Sequence, residues 1–352
     1  MKKVFATITG IVMVAVLVVP AAQAQVATDE IKTEKLAQTG FKFLSVSVDA
    51  RSAAMADAMT AAPMASSVAM FYNPAGMAWF EGNVHVAAGQ TQWIADINYN
   101  IASVAFRPAG GSYGVFGLSI VSVDYGSDII GTVRANNENG YERYEDLGLA
   151  NPEPTALAIG LGYAKALSDR FSVGGNLKYA RQDLGTGVVG RGDGSGLARE
   201  SNDKNTLAFD FGVLYKTGFR SLNFAMSARN FSRELQYVQE NFELPLSFRI
   251  GVSMDLMDFA NVNRDMHSLR VVLDAERPRD YSEQLKLGGE YLFMNTLSLR
   301  AGYTFPTDEQ GISLGVGLQQ QFGDYGIGAD YAYTTFGDYF DSVNRFALHF
   351  SF

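Results

Sequence analysis

The sequence contains no cysteine. Disulfide-stapled folds and cysteine–zinc sites are therefore excluded, and stability has to come from burial and hydrogen bonding. Histidine is almost as scarce: His85, His267 and His349 lie far apart and form no metal-ligand spacing. Positive charge is short as well. Once Lys2 and Lys3 of the leader described below are removed, the 28 basic residues become 26 against 37 acidic ones, a net charge of −11. That balance argues against nucleic acid, which needs a basic surface to neutralise phosphates. Beyond the leader no apolar run is long enough for a helical membrane span. Only nine prolines occur, against 36 glycines, 17 tyrosines and 24 phenylalanines. This glycine and aromatic usage fits a β-rich barrel rather than a disordered chain.

What is present begins with a leader. Lys2-Lys3 form a positive start, Val4 to Val19 an apolar stretch, and Ala22-Gln23-Ala24 an A-x-A cleavage site. The apolar stretch is about sixteen residues, interrupted by Thr7 and Thr9, whereas a spanning helix needs about 20. Residues 1–24 are predicted to be a signal peptide, Gln25 the mature start, and the protein exported.

From residue 83 onward the text alternates with period two, the spacing that sends successive side chains to opposite faces of a sheet. Leu207, Phe209, Phe211, Val213 and Tyr215 alternate with Ala208, Asp210, Gly212, Leu214 and Lys216. Phe248, Ile250 and Val252 alternate with Arg249, Gly251 and Ser253, and Ile312, Leu314 and Val316 with Ser313, Gly315 and Gly317. Strands are predicted near 83–94, 98–107, 112–125, 156–167, 170–182, 205–217, 220–231, 246–257, 267–276, 284–294, 295–305, 311–321, 324–335 and 342–352. That makes about 14 strands, longer than the ~5–6 residues usual in soluble sheets and suited to a tilted span of ~9–11 residues.

The connections largely alternate short and long. Pro108 to Gly111, Ser168-Asp169, Thr217 to Phe219, Asn295-Thr296 and Gly323-Asp324 are tight, while 126–155, 183–204 and 232–245 are long and polar. The stretch 258–266 is the exception, a long connection in a short-turn position. Short turns at one end and long loops at the other mark outer-membrane barrels, with apolar residues facing lipid and polar ones the lumen. An even strand count then returns both termini to the periplasmic, short-turn side and leaves the long loops extracellular. The last strand supports the same reading, because Phe346, Leu348, Phe350 and Phe352 alternate with Arg345, Ala347, His349 and Ser351. Such a strand resembles the closing strand of bacterial outer-membrane barrels. Trp93, Tyr99, Tyr113, Tyr125, Phe305, Phe322, Tyr333 and Phe336 near strand ends are predicted to form interface girdles.

The predicted fold is thus an all-β, ~14-stranded antiparallel transmembrane barrel spanning residues 83–352, preceded by a separate segment at 25–82. Its lumen set includes Lys178, Asp210, Arg229, Arg249, Arg270, Asp274, Lys286, Glu290, Arg300, Asp330 and Arg345. Mixed signs there suggest a salt-bridge lattice more than a solute path. Nothing points to catalysis or to a cofactor. Gly311-Ile312-Ser313-Leu314-Gly315 matches a hydrolase elbow in letters, but it continues an alternating strand instead of a strand–turn–helix. Arg191-Gly192-Asp193 reads as turn chemistry, and the acidic 126–155 loop as a solvated loop without calcium-ligand spacing.

The stretch before the barrel carries a more specific signal. "DARSAAMADAMTA" (49–61) and "SSVAMFYNPAGMA" (66–78) resemble the opening of the PorV/PorQ family, outer-membrane barrels of the type IX secretion system related to FadL-type transporters. The matching positions are Asp49, Ala50, Arg51 and Met55, then Asn73, Pro74, Ala75 and Gly76, with Phe41 to Val48 as a preceding apolar strand. Ala56-Asp57 departs from the glycine that many relatives carry after the methionine. The resemblance implies that the 25–82 segment is an N-terminal plug or lid, its residues 41–82 forming a plug or periplasmic-side lid that Asn73-Pro74 reverses beside the periplasmic mouth. It also implies a secretion role, in which the barrel partners other type IX components and secreted cargo. The FadL side of the kinship implies the alternative, passage of a hydrophobic small molecule, and a structural paralogue of unknown role is the third. An inward set that is small and charged favours the first.

Overall fold

A strand whose alternate residues are large and apolar is stable only with that face out of water, and fourteen such strands satisfy the requirement together by closing. The computed structural model describes residues 39–135, 138–190, 197–237, 241–307, 310–337 and 340–352. The predicted signal peptide, the start of the plug segment and Arg191-Gly192-Asp193 lie outside the described residues.

The strands are β1 (Val84–Gln92), β2 (Asn98–Phe106), β3 (Val115–Asp124), β4 (Thr155–Ala166), β5 (Phe171–Gly190), β6 (Leu197–Lys216) and β7 (Asn223–Ser232). They continue as β8 (Ser247–Asp255), β9 (His267–Pro278), β10 (Gln284–Phe293), β11 (Leu297–Phe305), β12 (Gln310–Phe322), β13 (Tyr325–Phe336) and β14 (Val343–Ser351). Each pairs antiparallel with its sequence neighbours, and β14 pairs with β1 to close the barrel. The seam runs from Gln92 opposite Asn344 to His85 opposite Ser351. It ends on reciprocal bonds of 2.9 Å between the backbones of Val84 and Phe352. Closure leaves the barrel itself without a free edge.

Side-chain facing follows the alternation. Leu207, Phe209, Phe211, Ile250, Ile312, Leu314, Phe346 and Leu348 are exposed on the outside, whereas Asp210, Arg249, Asp274, Glu290, Arg300, Asp330 and Arg345 are buried within. An outer belt of this kind belongs in lipid, because water would have to wet it all. Among the described residues no helix is long and apolar enough to cross a membrane.

Three features depart from the sequence reading. β5 and β6 continue past the barrel as a hairpin through most of the predicted 183–204 loop, with a register shift between Asp183 and Thr186. Of the predicted girdle, Tyr113, Phe305, Phe322 and Tyr333 are exposed, whereas Trp93 and Tyr125 pack against the inner apolar cluster and Tyr99 and Phe336 are buried inside. Those two sit on the lumen-facing parity, so position near a strand end did not decide their facing. Phe41 to Val48 is not a strand either. A closed barrel has no edge to offer it, and after one bridge from Thr39 to Glu243 it coils as a 3-10 turn at Lys42–Ser45.

The long connection after β8 is ordered by its own polar contacts. The Ser221 backbone N–H donates to Asp258 Oδ2 at 2.9 Å, and Arg264 pairs with the same carboxylate. Burial opposes its ionisation, yet these hydrogen bonds hold the Asp258 carboxyl below its usual range.

Candidate functional site

Residues 40–82 occupy the lumen. The segment starts beside the long loops, where Gly40 N–H donates to Glu243 O at 3.0 Å and Phe41 stacks 6.2 Å from Phe242. It descends through the short helix α1 (Ala50–Ala54) to the 3-10 turns Ser67–Phe71 and Pro74–Trp79, and leaves at the short-turn end where β1 begins. The barrel proper does begin and end on the short-turn side. The first described residues, 39–48, lie at the opposite, long-loop mouth.

Local chemistry explains each turn of the plug. Asp49 caps α1, accepting from Ser52 N at 3.0 Å and Ser52 Oγ at 2.8 Å. Asn73 caps the last 3-10 turn, accepting from Ala75 N at 3.1 Å, and Pro74 supplies a first position that needs no N–H. Asn73 Nδ2 donates to Thr60 O at 2.8 Å and to Val213 O of β6 at 3.2 Å, so one side chain ties plug to plug and plug to wall. Trp79 Nε1 donates to Ser172 Oγ at 2.9 Å, and Lys216 Nζ lies 3.3 Å over the Trp79 ring.

The wall receives this segment on three pairs of glycines, each pair directly opposite across neighbouring strands. Gly117 and Gly162 pair between β3 and β4, Gly174 and Gly212 between β5 and β6, and Gly288 and Gly302 between β10 and β11. A Cβ on Gly162 would lie 2.8 Å from Met70, and one on Gly174 2.5 Å from the Pro74–Ala75 peptide. On Gly302 it would lie 2.4 Å from the Met55–Ala56 peptide. Such approaches are open only to glycine. Met55, Asn73, Pro74 and Ala75 of the motif therefore mark seats of the plug, whereas Gly76 packs within it, near Met64 O and Ala69. The hydrolase-like Gly311 to Gly315 stays within strand β12, with Gly315 facing Ala54 of α1.

Two charged knots bind the plug to the β8–β14 wall. In the first, Arg51 forks onto Glu290, Nε to Oε1 at 2.9 Å and Nη2 to Oε2 at 2.8 Å. Arg270 and Arg300 hold the same carboxylate at 3.3 and 2.8 Å, and Arg300 continues to Asp330 at 2.6 Å. His349 Nε2 lies 2.8 Å from Asp330. In the second, Asp57 meets Arg249 at 3.2 Å, Arg249 meets Glu276 at 2.9 Å, and Lys286 meets Glu276 at 2.6 Å. These contacts form the mixed-sign lattice read from the sequence, and Arg51 and Asp57 bring the plug into it. Sequence spacing gave no hint that His85 and His349 approach to 6.3 Å between ring centroids, since the seam between β14 and β1 creates that contact. His85 Nδ1 also lies 2.9 Å from Ser67 Oγ.

The opposite wall differs, and here the expectation of a uniformly small and charged lumen fails. On β2 to β4 the inward residues Tyr99, Ile101, Val121, Val123, Ala156 and Ala158 form one buried apolar cluster with Phe41, Phe43, Leu44 and Val48 of the plug. A narrow cleft between them is lined by Leu44, Val46, Met70, Phe71, Val121 and Ala158, with Lys178 and Arg229 at its polar side. The lumen thus has a charged wall on β8–β14 and, opposite, an apolar patch in the long-loop half of β2–β4, next to which the Lys178–Asp210 pair at 2.8 Å keeps β5 and β6 partly polar.

No protein-family model matches the chain, and no curated protein does. Solved structures with the same fold include the CymD monoaromatic hydrocarbon channel, with TM-score 0.56 and 14% identity over 87% of this chain and 98% of that one. Another is the Ralstonia pickettii toluene transporter TbuX, with TM-score 0.56 and 13% identity over 86% and 97%. A Pseudomonas aeruginosa FadL homologue gives TM-score 0.53 and 13% identity over 87% and 98%. At such identities the likeness is one of fold: a closed barrel of the FadL type, as found in bacterial outer-membrane proteins.

Proposed function

We propose that this barrel binds small apolar molecules and passes them along the apolar patch between β2–β4 and the plug. The observation that carries this reading is the cluster of Tyr99, Ile101, Val121, Val123, Ala156 and Ala158, which faces inward where a structural lattice would need polar side chains. It lies in the half of the barrel nearer the long loops and leads into the cleft at Leu44, Met70 and Phe71. Apolar linings with a few placed polar groups are the usual form of small-molecule sites. The fold neighbours named for toluene and monoaromatic hydrocarbons support this choice of ligand class. The test is toluene uptake by cells producing the protein or its variants. Val121→Asp and Ala158→Asp should each lower the rate severalfold with the barrel still folded; unchanged uptake in both would reject the proposal.

A second reading, a partner in type IX secretion, rests on the motif resemblance alone. The motif residues Asp49, Arg51, Met55 and Asn73 to Ala75 hold a plug that fills the lumen, and a closed barrel can act through its loops. Affinity capture from outer membranes separates the two. Recovery of a large channel protein and secreted cargo supports partnership; recovery of an apolar ligand without protein supports passage.

A further inference from the structure

The charged wall ends at the long-loop mouth in a vestibule of about 460 Å³, within the ~300–1,000 Å³ range of small-molecule sites. Four cations and three carboxylates line it: Lys42, Arg249, Lys286 and Arg345 against Asp57, Glu276 and Asp280. Six of these seven are matched to one another. Lys42 pairs with Asp280, Arg249 with Asp57 and Glu276, and Lys286 with Glu276. Arg345 is the charge left over.

Its setting is deliberate in geometry. Arg345 is 3% exposed, and among the described residues it has no carboxylate at ion-pair distance. Nε donates to Ser47 O at 2.9 Å and Nη1 to Thr334 Oγ1 at 3.0 Å, both neutral acceptors, and neither bond uses Nη2. The guanidinium carbon lies 5.5 Å from the Trp93 ring centroid, and Phe336 meets Trp93 edge-on at 5.0 Å. A buried guanidinium is costly without an anion; Asp57 and Asp49 act on it from beyond ion-pair distance, while its hydrogen bonds to neutral groups fix its orientation and supply no direct ion pair. One surplus positive charge beside an aromatic wall is complementary to one negative charge on a planar apolar body.

We propose that this vestibule binds a small aromatic carboxylate, its anion on Arg345 and its ring against Trp93 and Phe336. The vestibule adjoins the apolar cluster through Trp93 and Val46 but lacks Val121 and Ala158, so its failure and that of the passage reading are distinguishable.

The two tryptophans are Trp79 and Trp93, so Trp79→Phe in the full chain leaves Trp93 as the single reporter. Benzoate titrated into that protein in a non-ionic detergent should change its fluorescence saturably. Benzyl alcohol, with the ring but no charge, and inorganic phosphate, with charge but no ring, should bind about tenfold more weakly or not at all. Arg345→Gln should lose about the same factor and Arg345→Lys less, with folding judged by heat-modifiable gel migration. If Arg345→Gln does not fold, Phe336→Ala takes its place and should weaken benzoate. Equal binding of benzyl alcohol, unchanged benzoate binding in the folded variant, or no saturable signal would each overturn the proposal.

Discussion

Phe248 and Arg249 are chain neighbours facing opposite media, the first 41% exposed on the outer surface and the second 3% exposed in the lumen. An arginine at Phe248 costs about 2–4 kcal/mol near the membrane midplane. Loss of Arg249 instead leaves Lys286 as the one cation for both Asp57 and Glu276, at 4.0 and 2.6 Å, and removing one member of a buried ion cluster costs up to about 3–5 kcal/mol. The two losses fall on different parts of the molecule. Phe248→Arg should reduce the yield of heat-modifiable barrel; Arg249→Leu should leave the barrel closed but open residues 40–82 to protease. Equal loss of folded barrel in both would refute the assigned facing. Asn230 offers a second residue-level test. It sits at φ 62° in the bulge opposite Phe209–Phe211, donating from N to Asp210 Oδ1 at 2.8 Å and from Nδ2 to Pro245 O at 3.0 Å. A β-branched residue fits neither the backbone nor the bonds, so Asn230→Val should lower stability by about 1–3 kcal/mol in urea unfolding, and Asn230→Gly by less.

Among the elements, the plug and its glycine seats form the unit most open to test. Adjacent glycines on β10 make an internal control: a Cβ on Gly288 would lie 2.7 Å from Met55 O, whereas one on Gly289 finds nothing nearer than 3.9 Å. Gly288→Val should therefore unseat the plug and speed proteolysis of residues 40–82, while Gly289→Val leaves the rate unchanged. Equal rates would mean that the seat does not hold the segment. All fourteen strands were legible from period two, because pairing fixes facing residue by residue. The glycines were legible only as small residues. That they form opposed pairs depends on register across strands, and register is set by the closed sheet.

At the scale of the whole molecule, the barrel encloses a segment that lies between an apolar patch and a charged side of its lumen. The two knots at Glu290 and at Asp57–Arg249–Glu276 should keep the charged side shut. Planar-bilayer recordings of the full chain should accordingly show little current, and a variant lacking residues 39–82 should show steady channels; equal conductance would argue that the plug is no barrier. The alternation of side chains along each strand by itself determined strand number, facing and the mixed-sign lattice, because each follows from local spacing. The plug was implied only through the family resemblance at Asp49 to Gly76; local spacing by itself read Asn73 to Gly76 as a turn. Tertiary structure alone decided the rest: the apolar patch of β2–β4, the entrance of the plug from the long-loop mouth, the His85–His349 approach and the surplus charge of Arg345. Each of these is a sum over strands far apart in the chain, and only closure of the sheet brings the terms of that sum together.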